Sequence, residues 1–197
     1  LIEINNSLRL IIRDNMKYFK KIEGERIYLS PINNEDAEKY VYWMNDRTIT
    51  DNIGRTTAIT TFESEKDWLA NASKSEAKFA IIKKDTDELI GNCSLMDIDR
   101  LNRKCTLGIF IGDEENRSMG YGTETLKLLL DFAFNFQNMH SVDLKVFSFN
   151  ERAIKCYEKS GFKRCGTRHG AYFLNGKYHD EITMEMLESD YYERNNI

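Results

Sequence analysis

The stretch Arg117-Ser118-Met119-Gly120-Tyr121-Gly122-Thr123-Glu124 runs directly into Thr125-Leu126-Lys127-Leu128-Leu129-Leu130-Asp131-Phe132-Ala133-Phe134, and it decides the fold. Gly120 and Gly122 allow a sharp turn and a close approach to a ligand, because neither carries a Cβ atom. From Leu126 onward, apolar residues recur at the spacing of an amphipathic helix. A helix N-terminus carries unpaired N–H groups and a partial positive charge, so the stretch predicts an anion site, with phosphate as the expected anion.

The glycine spacing narrows the type of phosphate loop. No Gly-Lys-Ser/Thr ends the turn, which argues against a Walker loop. The third glycine of a dinucleotide fingerprint is also missing. What remains is an Arg-x-x-Gly-x-Gly pattern at a strand-to-helix junction. Taken alone, this segment leaves open a plain connection into a core helix.

The bulk properties exclude several classes of protein. A chain of 197 residues with 41% hydrophobic and 30% charged residues fits one globular domain with a proper core. A formal net charge of −4 argues against nucleic acid or an anionic membrane as the main partner. The four cysteines form no C-x-x-C pair, so we expect reduced thiols and no zinc ribbon. Neither a membrane-length apolar run nor a signal-peptide pattern is present, which predicts a cytoplasmic protein.

Helix and strand signals follow one another along most of the chain. Strands are predicted at 26–32, 79–83, 89–96, 104–111, 142–147, 162–173 and 177–187. Helices are predicted from Asn33 or Asn34 through Met44, from Thr61 or Ser64, from the glycine loop to about Phe136, and over 151–160, with 45–61 as a loop. This order predicts an α/β (α+β) mixed sheet with helices on both sides.

The chain is expected to hold one domain, at 26–190, between two short end segments. Residues 1–25 are interpreted as an N-terminal extension, because Met16-Lys17-Tyr18 reads as a natural start after fifteen unusual residues. Residues 191–197 are interpreted as a C-terminal tail.

Two signatures together resemble a known superfamily. The loop at Arg117–Gly122 and the run Asn150-x-x-Ala153-x-x-x-Tyr157-x-x-x-Gly161-Phe162 are similar to the two signatures of the GCN5-related N-acetyltransferases (GNAT). The order of elements resembles that fold over residues 26–190. The resemblance implies a mostly antiparallel sheet of six to seven strands flanked by about four helices.

Three further motifs narrow the resemblance to one branch. They are Ser30-Pro31-Ile32-x-x-Glu35-Asp36-Ala37, Trp43-x-Asn45-Asp46 and Phe173-x-Asn175-Gly176-x-Tyr178-x-Asp180. They resemble the RimJ/RimL branch, which modifies protein N-termini, and its relatives that acetylate spermidine or aminoglycosides. The implied reaction is transfer of an acetyl group from acetyl-CoA to a primary amine by direct attack in a ternary complex. The resemblance also implies a homodimer as a common assembly, and no metal.

The resemblance assigns the cofactor to the loop, the strand before it and the later short helix. Main-chain amides of the loop would hold the diphosphate, the strand would pair with the pantetheine arm, and two lysines would lie near the nucleotide. The implied cofactor-binding residues are Phe110, Ile111, Gly112, Arg117, Ser118, Met119, Gly120, Tyr121, Gly122, Thr123, Asn150, Ala153, Lys155 and Lys159.

Tyr157 is the candidate catalytic residue. Direct transfer needs an acid for the departing sulfur, and a phenol with a pKa of about 10 suits a thiolate with a pKa of about 8.5 or a little above. The alternative is that Tyr157 only packs beside Ala153 and Ile154 on an apolar helix face.

The general base is not evident from the sequence. Many relatives carry a glutamate at the position of Thr106, and a threonine cannot accept a proton at neutral pH. Asp97 is a candidate, although a solvated acid at a strand end is the favoured interpretation. Glu124 is expected to support the helix N-terminus. The spacing of the three histidines fits no standard metal site.

Other functions stay open beside the enzyme. A non-catalytic acyl-CoA-binding regulatory module is favoured by Thr106, whereas Tyr157 and Asn150 favour catalysis. A nucleotide- or phosphate-binding domain would bind ATP rather than CoA. The acceptor amine is a protein N-terminus, a polyamine or an aminoglycoside.

Overall fold

The computed structural model describes residues 17–196 and contains one eight-stranded sheet. The strands are Ile22–Glu23 (β1), Ile27–Pro31 (β2), Lys78–Lys83 (β3), Leu89–Asp99 (β4), Lys104–Ile111 (β5), Ser141–Phe147 (β6), Lys163–Leu174 (β7) and Lys177–Leu187 (β8). Their order is β1-β2-β3-β4-β5-β6-β8-β7, and only the pairing of β5 with β6 is parallel.

The predicted mixed, mostly antiparallel sheet is confirmed, with one strand more than expected. The extra strand is β1, in which Ile22 pairs with Leu29 of β2. Two residues are too few for an alternating hydrophobic pattern, so the sequence offered no signal for it. Residues 1–16, which make up most of the predicted N-terminal extension, lie outside the described residues.

The described chain forms six α-helices, where about four were expected. They are Ala37–Asn45 (α1), Arg47–Thr50 (α2), Phe62–Ala72 (α3), Tyr121–Asp131 (α4), Glu151–Ser160 (α5) and Glu188–Asn195 (α6). A 3₁₀ turn at Asn34–Asp36 leads into α1, and α4 continues as a π-helical turn over Phe132–Phe136.

The two additional helices lie where a loop and a tail were predicted. The loop prediction for 45–61 is wrong at α2, where the Asp46 carboxylate caps the helix by accepting from the Thr48 amide. At the other end of the chain, α6 is held by Tyr191, which is buried and stacks on Phe134 with 4.8 Å between ring centroids. Tertiary packing therefore orders a segment that looks polar in sequence.

Local capping sets the helix boundaries that the sequence predicted best. Thr61 and Ser64 bond to each other's backbone N–H in a capping box at the start of α3. The Asn150 side chain accepts from the Ala153 amide at 3.2 Å and starts α5. Gly161 ends α5 with a φ of +104°, a left-handed conformation that favours glycine.

The sheet buries both faces against helices. On β3, Phe79 and Ile81 point into the core beneath α4 and α5, whereas Ala80 and Ile82 point into a second core beneath α1 and α3. This alternation follows from the two-residue period of a strand. The predicted placement of helices on both sides is confirmed.

The sheet splits between β5 and β6. Their parallel pairing covers only three residues of each strand and stops at Thr106 and Asp143. Beyond that point β5 continues along β4 to Ile111, and β6 continues along β8 to Phe147. The inner edges of β5 and β6 therefore separate, and the main-chain groups along them are left without each other as partners.

Candidate active site

A cleft of about 390 Å³ opens where β5 and β6 separate. The start of α4, α5 and α2 close its other sides. Of the residues predicted to form the site, those that line the cleft are Phe110, Ile111, Arg117, Ser118, Gly120, Gly122, Thr123, Asn150, Ala153, Lys155, Tyr157 and Lys159. Gly112, Met119 and Tyr121 are not among its lining residues.

Gly112 has a packing role instead. A Cβ atom at this position would lie 2.1 Å from the Trp43 ring, so only glycine lets α1 approach the end of β5. The Trp43 indole is fixed on the same side by a hydrogen bond to Asp113 at 2.8 Å.

The loop before α4 turns through two left-handed residues. Ser118 has a φ of +60° and Gly120 a φ of +87°. The Gly120 carbonyl accepts from the Glu124 amide at 3.1 Å, so Gly120 is the N-cap of α4. Among the hydrogen bonds of residues 17–196, none uses a backbone N–H of residues 118–123 as donor. These amides are therefore available to an anion at the positive end of the helix.

Gly122 faces open space. A Cβ atom built on it would meet nothing within 4 Å, and the residue lines the cleft. A side chain at this position would project into the volume that a ligand would fill, which is the arrangement expected where a backbone lies against a bound group.

Arg117 is largely engaged with the protein itself. Its guanidinium donates to the Gly112 carbonyl at 3.0 Å and to the Thr48 hydroxyl at 3.0 Å. It thereby ties α2 and the end of β5 to the loop. Its predicted charge-assisted contact with a diphosphate stays a prediction.

The cleft is lined by cations and by no carboxylate within the described residues. Besides Arg117, these are Lys145 on β6 and Arg152, Lys155 and Lys159 on α5. Lys155 lies 3.8 Å from Glu151, but both side chains are mostly exposed, so that ion pair is weak. The charge pattern suits an anionic ligand.

Tyr157 lies in the wall of the cleft and in the core at once. It is one helical turn beyond Ala153 on α5, it is 9% exposed, and its ring meets Phe162 edge-on at 5.9 Å. Its hydroxyl makes no hydrogen bond with any residue between 17 and 196. Burial raises the pKa of Tyr157 well above its usual range, so the phenol is protonated at every physiological pH.

The carboxylates considered as bases lie elsewhere. Asp97 is exposed and does not line the cleft, and Thr106 sits where β5 and β6 still pair. Glu124 accepts from the amides of Arg26 and Ile27 at 2.8 and 3.2 Å. Glu124 therefore joins α4 to β2.

Several lining residues were not predicted from the sequence. They are Thr48, Ile49, Asn52, Ile53, Ile109, Asn116, Leu126, Lys145, Val146, Arg152 and Cys156. The first four come from α2 and the turn after it, and tertiary contacts such as the bond between Arg117 and Thr48 bring them to the cleft. Asn116 is 3% exposed, and its side-chain Nδ2 has no hydrogen-bond partner in the described chain. A buried donor without a partner next to a cleft calls for an explanation, which a bound ligand or an ordered water would supply.

The described residues offer neither a metal site nor a membrane-spanning helix. His169 lies 3.0 Å from Asp180, but residues 17–196 contain no group of three or more potential metal-ligating side chains. In the same part of the chain, every helix is too short or too polar to cross a bilayer.

Comparison with known proteins gives a consistent result. A family model described as an acetyltransferase (GNAT) domain matches residues 29–183. A spermidine N(1)-acetyltransferase from Vibrio cholerae is 30% identical over 120 residues, which are 61% of this chain and 68% of the relative. An uncharacterised N-acetyltransferase, p20, from Bacillus licheniformis is 25% identical over 172 residues, which are 85% of this chain and 96% of the relative.

A solved structure shares the fold. The crystal structure of spermidine N-acetyltransferase from Vibrio cholerae in complex with CoA and spermine matches with a TM-score of 0.77 at 24% sequence identity. The match covers 85% of this chain and 99% of that chain. The overall fold is therefore shared with a protein whose structure holds CoA.

Proposed function

We propose that this chain, which belongs to the GNAT acetyltransferase family, transfers an acetyl group from acetyl-CoA to a primary amine while both substrates are bound. The observation that carries the proposal is that unpaired loop amides and the Tyr157 phenol line one cleft. We take residues 26–190 as the catalytic domain.

The cleft can hold the three parts of acetyl-CoA. The unpaired amides of Ser118, Gly120, Gly122 and Thr123, which line the cleft, would hold the diphosphate at the start of α4. The free edge of β5 beyond Thr106 offers main-chain groups to the two amides of the pantetheine arm, as it would to an added strand. Lys155 and Lys159 on α5 lie where they would attract the remaining phosphate charge.

Tyr157 supplies the proton that the sulfur needs. The neutral amine attacks the thioester carbonyl, the C–S bond breaks, and the departing thiolate takes the phenolic proton. Burial holds the phenol protonated, and the same dry surroundings disfavour a free thiolate and so raise its affinity for the proton. A free N–H on the edge of β5 would stabilise the oxyanion that forms during the attack.

The choice of acceptor amine is supported by the similar proteins rather than by the residues that line the cleft. Spermidine N-acetyltransferases are among the similar proteins, which favours a polyamine. A protein N-terminus is the second acceptor to test, because the sequence motifs also resemble the RimJ/RimL branch.

The direct experiment measures the release of free CoA through the reaction of its thiol with a chromogenic aromatic disulfide. Purified protein is incubated with acetyl-CoA and, in turn, spermidine, spermine, an aminoglycoside and short peptides with free N-termini. We expect CoA release to depend on both substrates. Mass spectrometry should show that one class of amine gains one acetyl group. No release with any amine would contradict the proposal.

A second candidate function is that of a non-catalytic acyl-CoA-binding regulator. Thr106 favours it, because a residue that cannot act as a base stands where many relatives have a glutamate. This function predicts tight binding of acetyl-CoA in calorimetry together with no amine-dependent CoA release. The enzyme predicts both binding and turnover.

A further inference from the structure

Four buried polar side chains gather on the face of the sheet that α1 and α3 cover. They are Tyr40, Thr60, Glu65 and Asn92, and each is less than a tenth exposed. The Thr60 Oγ1 has no hydrogen-bond partner within residues 17–196, and the Tyr40 hydroxyl and the Asn92 side chain, which lie close enough to interact with each other, have no other partner there. The Glu65 carboxylate forms neither a hydrogen bond nor an ion pair in the same range. Buried polar groups are nearly always paired, so unpaired ones in one place call for an explanation.

The helices bring these groups together. Asn45 at the end of α1 bonds to Thr60 just before α3, and the Tyr40 ring meets Trp68 further along α3 at 5.9 Å. The two helices therefore run antiparallel. Glu65 lies between Thr60 and Trp68 along α3, and it shares the buried face with Leu69 at i+4. Glu65 occupies the position at which the buried face of α3 begins, where an apolar residue would be expected.

This polar cluster adjoins the cleft through Phe110. Asn92 on β4 stands directly opposite Phe110 on β5, so both side chains point to the same face of the sheet. The Phe110 ring meets the Tyr40 ring edge-on at 6.4 Å and also lines the cleft. Tyr40 and Asn92 are thus separated by one side chain, that of Phe110, from the part of the cleft that β5 lines. In the proposed reaction the amine would approach β5 there.

The chemistry of the reaction needs a group at that end. A primary amine is mostly protonated at neutral pH, and an ammonium cannot attack a thioester. The lining of the cleft contains no carboxylate or histidine among the described residues. Water held by donors and acceptors in a buried site is a common link between such a proton and a base.

We propose that Glu65 is the proton acceptor of the reaction and that it receives the proton from the ammonium through water held by Tyr40, Thr60 and Asn92. The inference rests on the proposed function. The asparagine amide donates, the two hydroxyls donate or accept, and the carboxylate accepts, so the set can satisfy bridging water completely. Glu65 does not touch the reacting atoms, so it acts through this water.

The steps balance. The ammonium gives one proton through water to Glu65, and the resulting amine attacks the thioester carbonyl. The C–N bond forms and the C–S bond breaks with its electron pair on sulfur. The thiolate takes the Tyr157 proton, and the tyrosinate takes the second proton from the new amide nitrogen. Glu65 then loses its proton to solvent, so each turnover releases one proton.

The surroundings of Glu65 suit this role. Burial raises the pKa of Glu65, while the positive charge of Arg55, from the turn before α3, lowers it by a smaller amount. On the side of α1, the facing titratable group is Tyr40, whose pKa burial also raises. A carboxylate with a raised pKa is a better match for proton transfer near neutral pH than an ordinary one.

The test compares Glu65→Gln with Glu63→Gln, an exposed glutamate on the same helix. We expect Glu65→Gln to lower kcat/KM for the amine about 100-fold at pH 7, the lower end of the range of general base catalysis. The deficit should shrink steadily toward pH 10, because the amine then loses its proton without help. Affinity for acetyl-CoA should be unchanged, and Glu63→Gln should match the wild type throughout. Tyr40→Phe, which removes one partner of the water, should show a smaller deficit with the same pH trend.

The outcomes are distinct. A deficit of the same factor at every pH, or no deficit, would overturn the assignment of Glu65 while leaving the acetyltransferase intact. If the wild type itself releases no CoA with any amine, the proposed function fails and the inference fails with it.

Discussion

The two walls of the cleft differ in how the chain builds them. One wall, formed by residues 117–123 and α5, comes from short continuous segments. The other wall is formed by α2 and β5, and behind it α1, α3 and β4 bring Tyr40, Glu65 and Asn92 together from distant parts of the chain. The first wall offers unpaired main-chain amides and cations, whereas the second buries neutral polar groups and one carboxylate. In the proposed reaction, the cofactor would lie against the first wall and the amine would approach from the second.

The first wall contributes mainly to the free energy of ligand binding, whereas the second wall affects the free energy of folding. An anion at the loop gains from the helix dipole and from N–H groups that are already fixed by the fold, so little ordering is needed on binding. The polar cluster of the second wall carries a cost in the free protein, because buried unpaired groups destabilise it. Such a cost is typical of functional sites, and it predicts that the two walls will respond differently to mutation.

The largest expected effect is at Tyr157. Tyr157→Phe removes the proton donor while keeping the ring, so we expect kcat to fall about 100-fold, within the range of general acid catalysis. The dissociation constant of acetyl-CoA should be unchanged. Because the hydroxyl makes no hydrogen bond in the described chain, the melting temperature should change little. Tyr191→Phe, which also removes a buried tyrosine's hydroxyl but far from the cleft, is the control. Turnover equal to the wild type would remove Tyr157 from the mechanism.

The next effect is at Gly122. Gly122→Val would place an isopropyl group in the open space beside the diphosphate position, so we expect acetyl-CoA to bind about tenfold more weakly or worse, a loss of about 1.4 kcal/mol. Gly166→Val is a matched control, because a Cβ atom there also meets nothing within 4 Å but the residue is outside the cleft. Calorimetry on both variants makes the comparison. Equal affinities for the two variants would contradict the placement of the diphosphate.

A smaller effect is expected at Asn116, where the two walls meet. Its unpaired Nδ2 should donate to bound acetyl-CoA, so Asn116→Leu should weaken binding about 2- to 12-fold, the range of one net hydrogen bond of about 0.5–1.5 kcal/mol. The free protein should be as stable or slightly more stable, because a buried unpaired group is removed. Thermal unfolding with and without CoA measures both quantities. A large loss of stability without ligand would show that Asn116 is structural.

The same contrast between walls explains how much of the fold the sequence could predict. Helix ends with a local cap, such as Asn150 and Gly161 on α5, were predicted to the residue. The strand 104–111 was also predicted to the residue from its pattern and flanking turn. In contrast, α2 has only four residues in a polar segment and is held by long-range contacts, which include the bond between Arg117 and Thr48 and the burial of Ile49. No pattern in the neighbouring sequence predicts contacts of this kind.

The candidate site divides in the same way. Loop and α5 residues carry a motif because their geometry depends on fixed spacing along the chain. Asn116 and Glu65 look like ordinary polar residues in sequence, and only their burial without partners singles them out. The spacing of residues along the sequence cannot identify side chains whose role depends on long-range packing.

The smallest expected effect is on stability, and it tests the second wall without any assay of activity. Burial raises the pKa of Glu65 in the folded protein, so the fold binds a proton more tightly there than the unfolded chain does. The stability that depends on this proton is present below the unfolded pKa of about 4.3 and is lost as pH rises through the higher folded pKa. Glu65→Gln cannot ionise, so its melting temperature should exceed that of the wild type at pH 8. At pH 4 the two proteins should melt together. A wild type that gains stability relative to Glu65→Gln as pH rises would mean that the folded protein stabilises the ionised carboxylate, and the polar cluster would then be a structural ion site instead of a proton relay.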